Sequence, residues 1–147
     1  MSTPSRAQHL VLVVDDNEDL RALVAETLRK LGGYQVVTAE DGIQGLERYF
    51  DVWPDCVVID IKMPGLDGYQ LIRALRGDAA SAATPLVVLS AMVQDRDRLA
   101  GMLSGADEYL LKPVSLPDLL QTIQRVIGRS EQERRERQQA LLNTEPP

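Results

Sequence analysis

A chain of 147 residues, 44% hydrophobic and 26% charged, is long enough for one domain with a real core plus an appendage. The formal net charge of −6 supplies no basic footprint for DNA or RNA. A single cysteine, Cys56, and a single histidine, His9, exclude an internal disulfide, a cysteine zinc site and a multi-histidine metal centre.

The longest apolar run near the start, Leu10 to Val14, is far short of the roughly 20 residues that span a bilayer. Met1 to Gln8 lacks the apolar core of a secretory signal. The expectation is a cytoplasmic, reduced protein that uses no membrane.

Short apolar, β-branched runs then alternate with helix-period segments. The runs are Leu10 to Val14, Tyr34 to Thr38, Cys56 to Ile59, Leu86 to Leu89 and Tyr109 to Leu111. Nearly continuous apolarity over this length predicts strands covered on both faces. After the first run, Leu20, Leu23, Val24, Thr27, Leu28 and Leu31 mark one helical stripe, closed by Gly32-Gly33. Ile43, Leu46 and Phe50 predict a second helix, Leu71, Ile72 and Leu75 a third, and Leu99, Met102 and Leu103 a fourth. A fifth runs from Leu116 to Ile127, opened by Ser115-Leu-Pro-Asp118 as a capping box with proline in the first turn. The sum is an α/β fold of (βα)5 type: a doubly wound, five-stranded parallel sheet of order 2-1-3-4-5 in a flavodoxin-like three-layer sandwich.

Residues 1–9 are expected to be an N-terminal tail, 10–127 the domain, and 128–147 a polar helical extension that frays at its end. Glu131 with Arg135 and Glu133 with Arg137 are i, i+4 pairs in the favourable order. The extension reads either as a solvated tail or as a linker toward an effector, and its polar gap between Ile127 and Leu141 argues against a strong heptad.

The chemistry collects at strand ends. Asp15 and Asp16 follow the first strand and Asp60 the third, and order 2-1-3-4-5 makes those strands neighbours, about 4.8 Å apart. Three crowded carboxylates repel one another unless a cation joins them, and hard oxygen ligands beside a phosphate suit Mg²⁺. Asp16 or Asn17 has a plainer role open to it, as cap of the first helix. Ser90 follows the fourth strand and reads either as a site hydroxyl or as a turn or cap residue. Lys112 follows the fifth, either to hold a phosphate oxygen or to reach solvent. Asp67 reads as a helix cap, Cys56 as a small core residue, and Trp53 is open between surface aromatic, partner contact and packing residue.

Four segments resemble the receiver domain of bacterial two-component response regulators, the CheY-like family. They are Val13-Val-Asp-Asp-Asn-Glu18, Val58-Ile-Asp-Ile-Lys-Met-Pro-Gly-Leu-Asp-Gly68, Val88-Leu-Ser-Ala91 and Gly105-Ala-Asp-Glu-Tyr-Leu-Leu-Lys-Pro113. The likeness covers about Leu10 to Ile127.

The resemblance implies a phosphoacceptor, Asp60, served in catalysis by Lys112 and Ser90. It implies Mg²⁺ (or Mn²⁺) held by Asp15, Asp16, Asp60 and the backbone carbonyl of Lys62. It implies a switch pair, Ser90 and Tyr109, and a cis bond before Pro113. Such a protein is a phosphoacceptor that promotes its own phosphorylation and dephosphorylation rather than a conventional enzyme. Its implied partners are a sensor histidine kinase or histidine phosphotransfer protein and a downstream effector. A homodimer could form through the fourth helix, fifth strand and fifth helix, with no direct nucleic-acid binding.

Rival readings meet specific obstacles. A haloacid-dehalogenase-like phosphatase needs Asp-x-Asp after the first strand, where this chain has an adjacent pair. A flavodoxin-like cofactor module needs a glycine- and hydroxyl-rich loop there, and Asp15 to Asp19 would repel its phosphate. The Gly-x-x-x-x-Gly-Lys of a P-loop is absent.

Overall fold

The computed structural model describes residues 8–91 and 105–129, together with Glu133, Glu136, Gln139 and Ala140, which are helical. In chain order the elements are β1 (Leu10–Val14), α1 (Glu18–Gly32), β2 (Gln35–Ala39), α2 (Gly42–Val52) and β3 (Cys56–Asp60). Then follow α3 (Gly68–Gly77), β4 (Leu86–Ser90), β5 (Glu108–Leu111) and α4 (Leu116–Gly128). The five strands form one parallel sheet, ordered β2-β1-β3-β4-β5.

The continuous apolar runs have a direct cause. Successive side chains of a strand point to opposite faces, so a strand buried on both needs apolar residues at every position. Leu12, Val14, Val57, Ile59, Leu86 and Val88 join Tyr49, Leu71, Ile72 and Leu75 of α2 and α3. The alternate residues Val11, Val13, Cys56, Val58, Val87 and Leu89 meet Val24, Leu28, Leu119, Ile123 and Val126 of α1 and α4. Each fully buried aliphatic side chain contributes roughly 1.5–3 kcal/mol relative to exposure.

Caps set where the helices begin. The side chains of Asn17, Asp41, Asp67 and Ser115 accept the backbone N–H three residues on. Asp67 completes a reciprocal capping box with Gln70. Gly33, in the left-handed region at φ 69, ends α1.

The structure corrects several expectations. The buried stripe of α1 is Val24, Ala25 and Leu28, while Leu23 and Leu31 are exposed at 49% and 75%. On α2 the buried residues are Gly42, Gly45 and Tyr49, and Ile43 is exposed. The predicted Leu46 and Phe50 do pack against the core beside Tyr49, but glycines carry no hydrophobic signal, so the share of Gly42 and Gly45 in that face is invisible to a count of apolar side chains. The second strand starts at Gln35. Tyr34 instead closes the end of α1 by donating its N–H to the Leu28 carbonyl. Asp60 and Ser90 are the last residues of β3 and β4, in register with Leu89 and Leu111, rather than residues that follow the strands. Trp53 ends α2 in the left-handed region and stacks edge-on against Tyr49 and Phe50, with about half its surface exposed.

The predicted helix at Leu99 to Leu103 lies outside the described residues. So do three of the four members of the tail pairs, Glu131, Arg135 and Arg137. Among the described residues, no helix is long and apolar enough to cross a membrane.

Candidate functional site

Parallel pairing of Val14 with Ile59 brings the ends of β1 and β3 level. One carboxylate oxygen each of Asp15, Asp16 and Asp60 then falls within 4.8 Å of the others. Asp15 and Asp60 are buried, whereas Asp16 is exposed at the rim.

Asp15 is held from three directions. Its N–H donates to the Ala39 carbonyl at 3.1 Å. Its Oδ1 accepts the Asn17 N–H at 2.9 Å, and its carbonyl accepts from Arg21 Nη1 at 2.9 Å. The other carboxylate oxygen, Oδ2, is buried without a hydrogen bond. Lys112 Nζ stands 3.9 Å from it, which gives electrostatic attraction beyond hydrogen-bond reach.

Lys112 comes from the end of β5. Its N–H donates to the Ser90 carbonyl at 2.7 Å, and the Lys112–Pro113 bond is cis, as the resemblance implied. The ammonium lies 3.0 Å from Asp60 Oδ1. Burial nonetheless pushes the Asp60 carboxyl up to about 6; Lys112 opposes the shift, and the charge of Asp15 and the contact with Asp16 add to it.

Three acids facing one lysine leave an excess of negative charge and an unused, inward carboxylate oxygen. Hard oxygen donors with spare lone pairs are what a Mg²⁺-type cation requires, so the residues present fit such an ion.

The structure thus brings Asp15, Asp16, Asp60 and Lys112 together. Ser90 is buried at the end of the adjacent strand. Tyr109 is buried one strand further, among Ile59, Val88 and their neighbours. Lys62 is exposed at the start of the β3–α3 loop, where it lines an open depression of about 450 Å³ with Asp16, Met63, Pro64, Asp67 and Tyr69.

Sequence reasoning missed the supporting residues. Arg21 pins the Asp15 backbone with nothing in its spacing to announce it. Arg76 gathers the far end of the sheet: it donates to the carbonyls of Gly105, Ala82 and Thr84 and to Asp107 Oδ2, which also accepts the Leu86 N–H.

Residues 11–124 match the response regulator receiver domain family. Transcriptional regulatory protein PrrA of Mycobacterium leprae is 43% identical over 119 residues, 81% of this chain and 50% of PrrA. Protein PilG of Pseudomonas aeruginosa is 40% identical over 113 residues, 77% of this chain and 83% of PilG. The chain therefore spans about half the length of PrrA and most of PilG. Chemotaxis protein CheY4 of Vibrio cholerae aligns with a TM-score of 0.77 at 33% identity, covering 82% of this chain and 99% of CheY4. With its sheet order, its acidic rim and these likenesses taken together, the chain belongs to the response regulator receiver domain family.

Proposed function

We propose that this receiver accepts a phosphoryl group on Asp60 from the phosphohistidine of a sensor kinase or phosphotransfer protein, and signals through the conformational change that follows. The observation that carries the reading is Asp60 itself: a buried carboxylate at a strand end, 3.0 Å from a lysine and grouped with two further acids.

An Asp60 carboxylate oxygen attacks phosphorus, the P–N bond to the donor imidazole breaks, and an acyl phosphate forms. At neutral pH, above the raised value of about 6, Asp60 is mostly ionised and competent as nucleophile. The transferring group is nearly metaphosphate-like, so positioning and charge neutralisation dominate. Lys112 supplies a fixed positive charge beside the attacking carboxylate. Asp15, Asp16, Asp60 and the Lys62 carbonyl would hold Mg²⁺ or Mn²⁺, which when bound neutralises charge on the phosphoryl oxygens. Water later hydrolyses the acyl phosphate in the same pocket.

The phosphate adds about −1.5 to −2 charges next to Ser90. The Ser90 hydroxyl then donates to a phosphate oxygen, and its shift opens space into which the ring of Tyr109, already largely buried, turns further inward. The altered face comprises the predicted helix near Leu99, β5 and α4. It serves an effector or a second copy, and residues 128–147, polar in sequence, follow α4 in the chain as a connection toward that partner.

The test is phosphorylation by acetyl phosphate with Mg²⁺, read by intact mass. One added phosphate is expected in the parent protein and none in Asp60→Asn; full labelling of that variant would move the acceptor elsewhere.

A further inference from the structure

Two helices that border the site start with the same dipeptide. Asp41-Gly42 opens α2 and Asp67-Gly68 opens α3, each aspartate capping its helix. The glycine after a cap is the first helical residue, a position where most residues are tolerated. Neither glycine adopts positive φ, so conformational freedom does not account for them; Gly65, at φ 73 within the intervening loop, is the one that needs it.

Space accounts for both. A β-carbon on Gly68 would lie 2.5 Å from the carbonyl oxygen of Asp60 and 2.7 Å from Ile61 Cα. The Gly68 N–H also donates to the Ile61 carbonyl at 3.0 Å. A β-carbon on Gly42 would collide with the Leu66 carbonyl oxygen and stand 2.9 Å from that residue's carbonyl carbon and Cβ. The closest of these neighbours are backbone atoms, so no rotamer change relieves them. One glycine bears on the beginning of the β3–α3 loop, the other on its end.

We propose that Gly42 and Gly68 are positioning residues: two side-chain-free helix starts that mould the Ile61 to Asp67 loop, and so set where Asp60 and Lys62 stand toward a divalent cation. The inference rests on the cation reading of Asp15, Asp16 and Asp60. The three atoms nearest a β-carbon on Gly42 all belong to Leu66 and none to those acids, which separates its effect from direct ligation.

The experiment is calorimetric titration of the full chain with Mg²⁺, comparing Gly42→Ala with Gly45→Ala. The latter lies one turn along the same helix, and its β-carbon would meet only side chains, the two Val14 methyls at 3.0 Å and Leu71 Cδ2 at 3.3 Å. Gly42→Ala is expected to weaken Mg²⁺ about 10-fold or more, the range for groups that orient metal ligands from behind. It should also shrink the rise in melting temperature that Mg²⁺ produces. Gly45→Ala should lower the melting temperature and keep the Mg²⁺ affinity of the parent.

Equal affinity in Gly42→Ala and the parent, or equal losses in the two variants, overturns the proposal. If Gly42→Ala does not fold, Gly65→Ala strains the same loop from within with no atom in its way, and an unchanged Mg²⁺ affinity there overturns it instead. A parent chain that binds no Mg²⁺ would defeat the cation reading itself, a distinguishable result.

Discussion

The substitution Asp60→Asn should make the metal-free protein more stable at neutral pH, even as it abolishes the phosphoacceptor. Burial, with Asp15 and Asp16 alongside, raises the Asp60 carboxyl from 3.8 to about 6 despite Lys112. A raised acid binds its proton more tightly in the folded chain than in the unfolded one. Folding stability is therefore highest where Asp60 is protonated in both states and falls as pH climbs from about 4 to about 6. A shift of about two units at ~1.4 kcal/mol each bounds the loss at roughly 3 kcal/mol. The introduced asparagine resembles the protonated acid in size and neutrality, so it escapes that loss but leaves Lys112 with Asp15 alone.

Urea unfolding of the parent and Asp60→Asn in EDTA, across pH 4 to 7.5, should give curves that nearly coincide at the acid end. They should separate between about pH 4 and 6, to a plateau of up to ~3 kcal/mol in favour of the variant. For a chain of this length that is a difference on the order of 5–10 °C in Tm. Saturating Mg²⁺ should narrow the gap, because it binds the folded parent more tightly than the variant. A difference that does not change with pH, or a variant less stable at pH 7, would refute the assignment of unfavourable burial to Asp60.

Lys112→Ala removes the ammonium 3.0 Å from Asp60 and should slow phosphorylation by acetyl phosphate by about 10²-fold, read from the rate of mass increase. The same variant should bind Mg²⁺ more tightly, since a competing cation has left the acidic cluster, and calorimetry reads this directly. Arg76→Met removes the guanidinium that stands 2.9 Å from Asp107, whose side chain is 1% exposed, and should cost about 3–5 kcal/mol in urea unfolding, with m unchanged. Asn17→Ala removes the cap of α1 and should cost about 1 kcal/mol, while the backbone N–H at that position keeps its bond to Asp15 and Mg²⁺ affinity by titration stays near that of the parent.

What could be read from the amino-acid order follows from how many ways a residue can be satisfied. Asp60 and Ser90 end runs whose every side chain is covered, and a polar group there has few places to go except the rim of the sheet. The same logic located Asp15 and Lys112, and the sheet order then made the acids neighbours. Helix faces were harder. Leu23 and Leu31 fit an apolar stripe by spacing yet lie outside the contact of α1 with the sheet, because Val24, Ala25 and Leu28 already fill it. On α2 the packed face combines Tyr49, Leu46 and Phe50 with Gly42 and Gly45, and the contribution of the glycines is the room they leave.

The residues that brace the site and the opposite end of the sheet escaped notice for a common reason. Arg21, at the site, and Arg76, at the far end, donate largely to main-chain carbonyls (Arg76 also to Asp107), and every residue carries a carbonyl, so little in the chain marks the donor. The paired Asp-Gly starts of α2 and α3 were in plain view, but a cap followed by glycine at a helix start is ordinary until the backbone opposite it is known. Chemistry-bearing groups are therefore recoverable from residue type and strand position. The packing that holds them to a fraction of an ångström depends on distances between segments, and local order along the chain does not encode those distances one residue at a time.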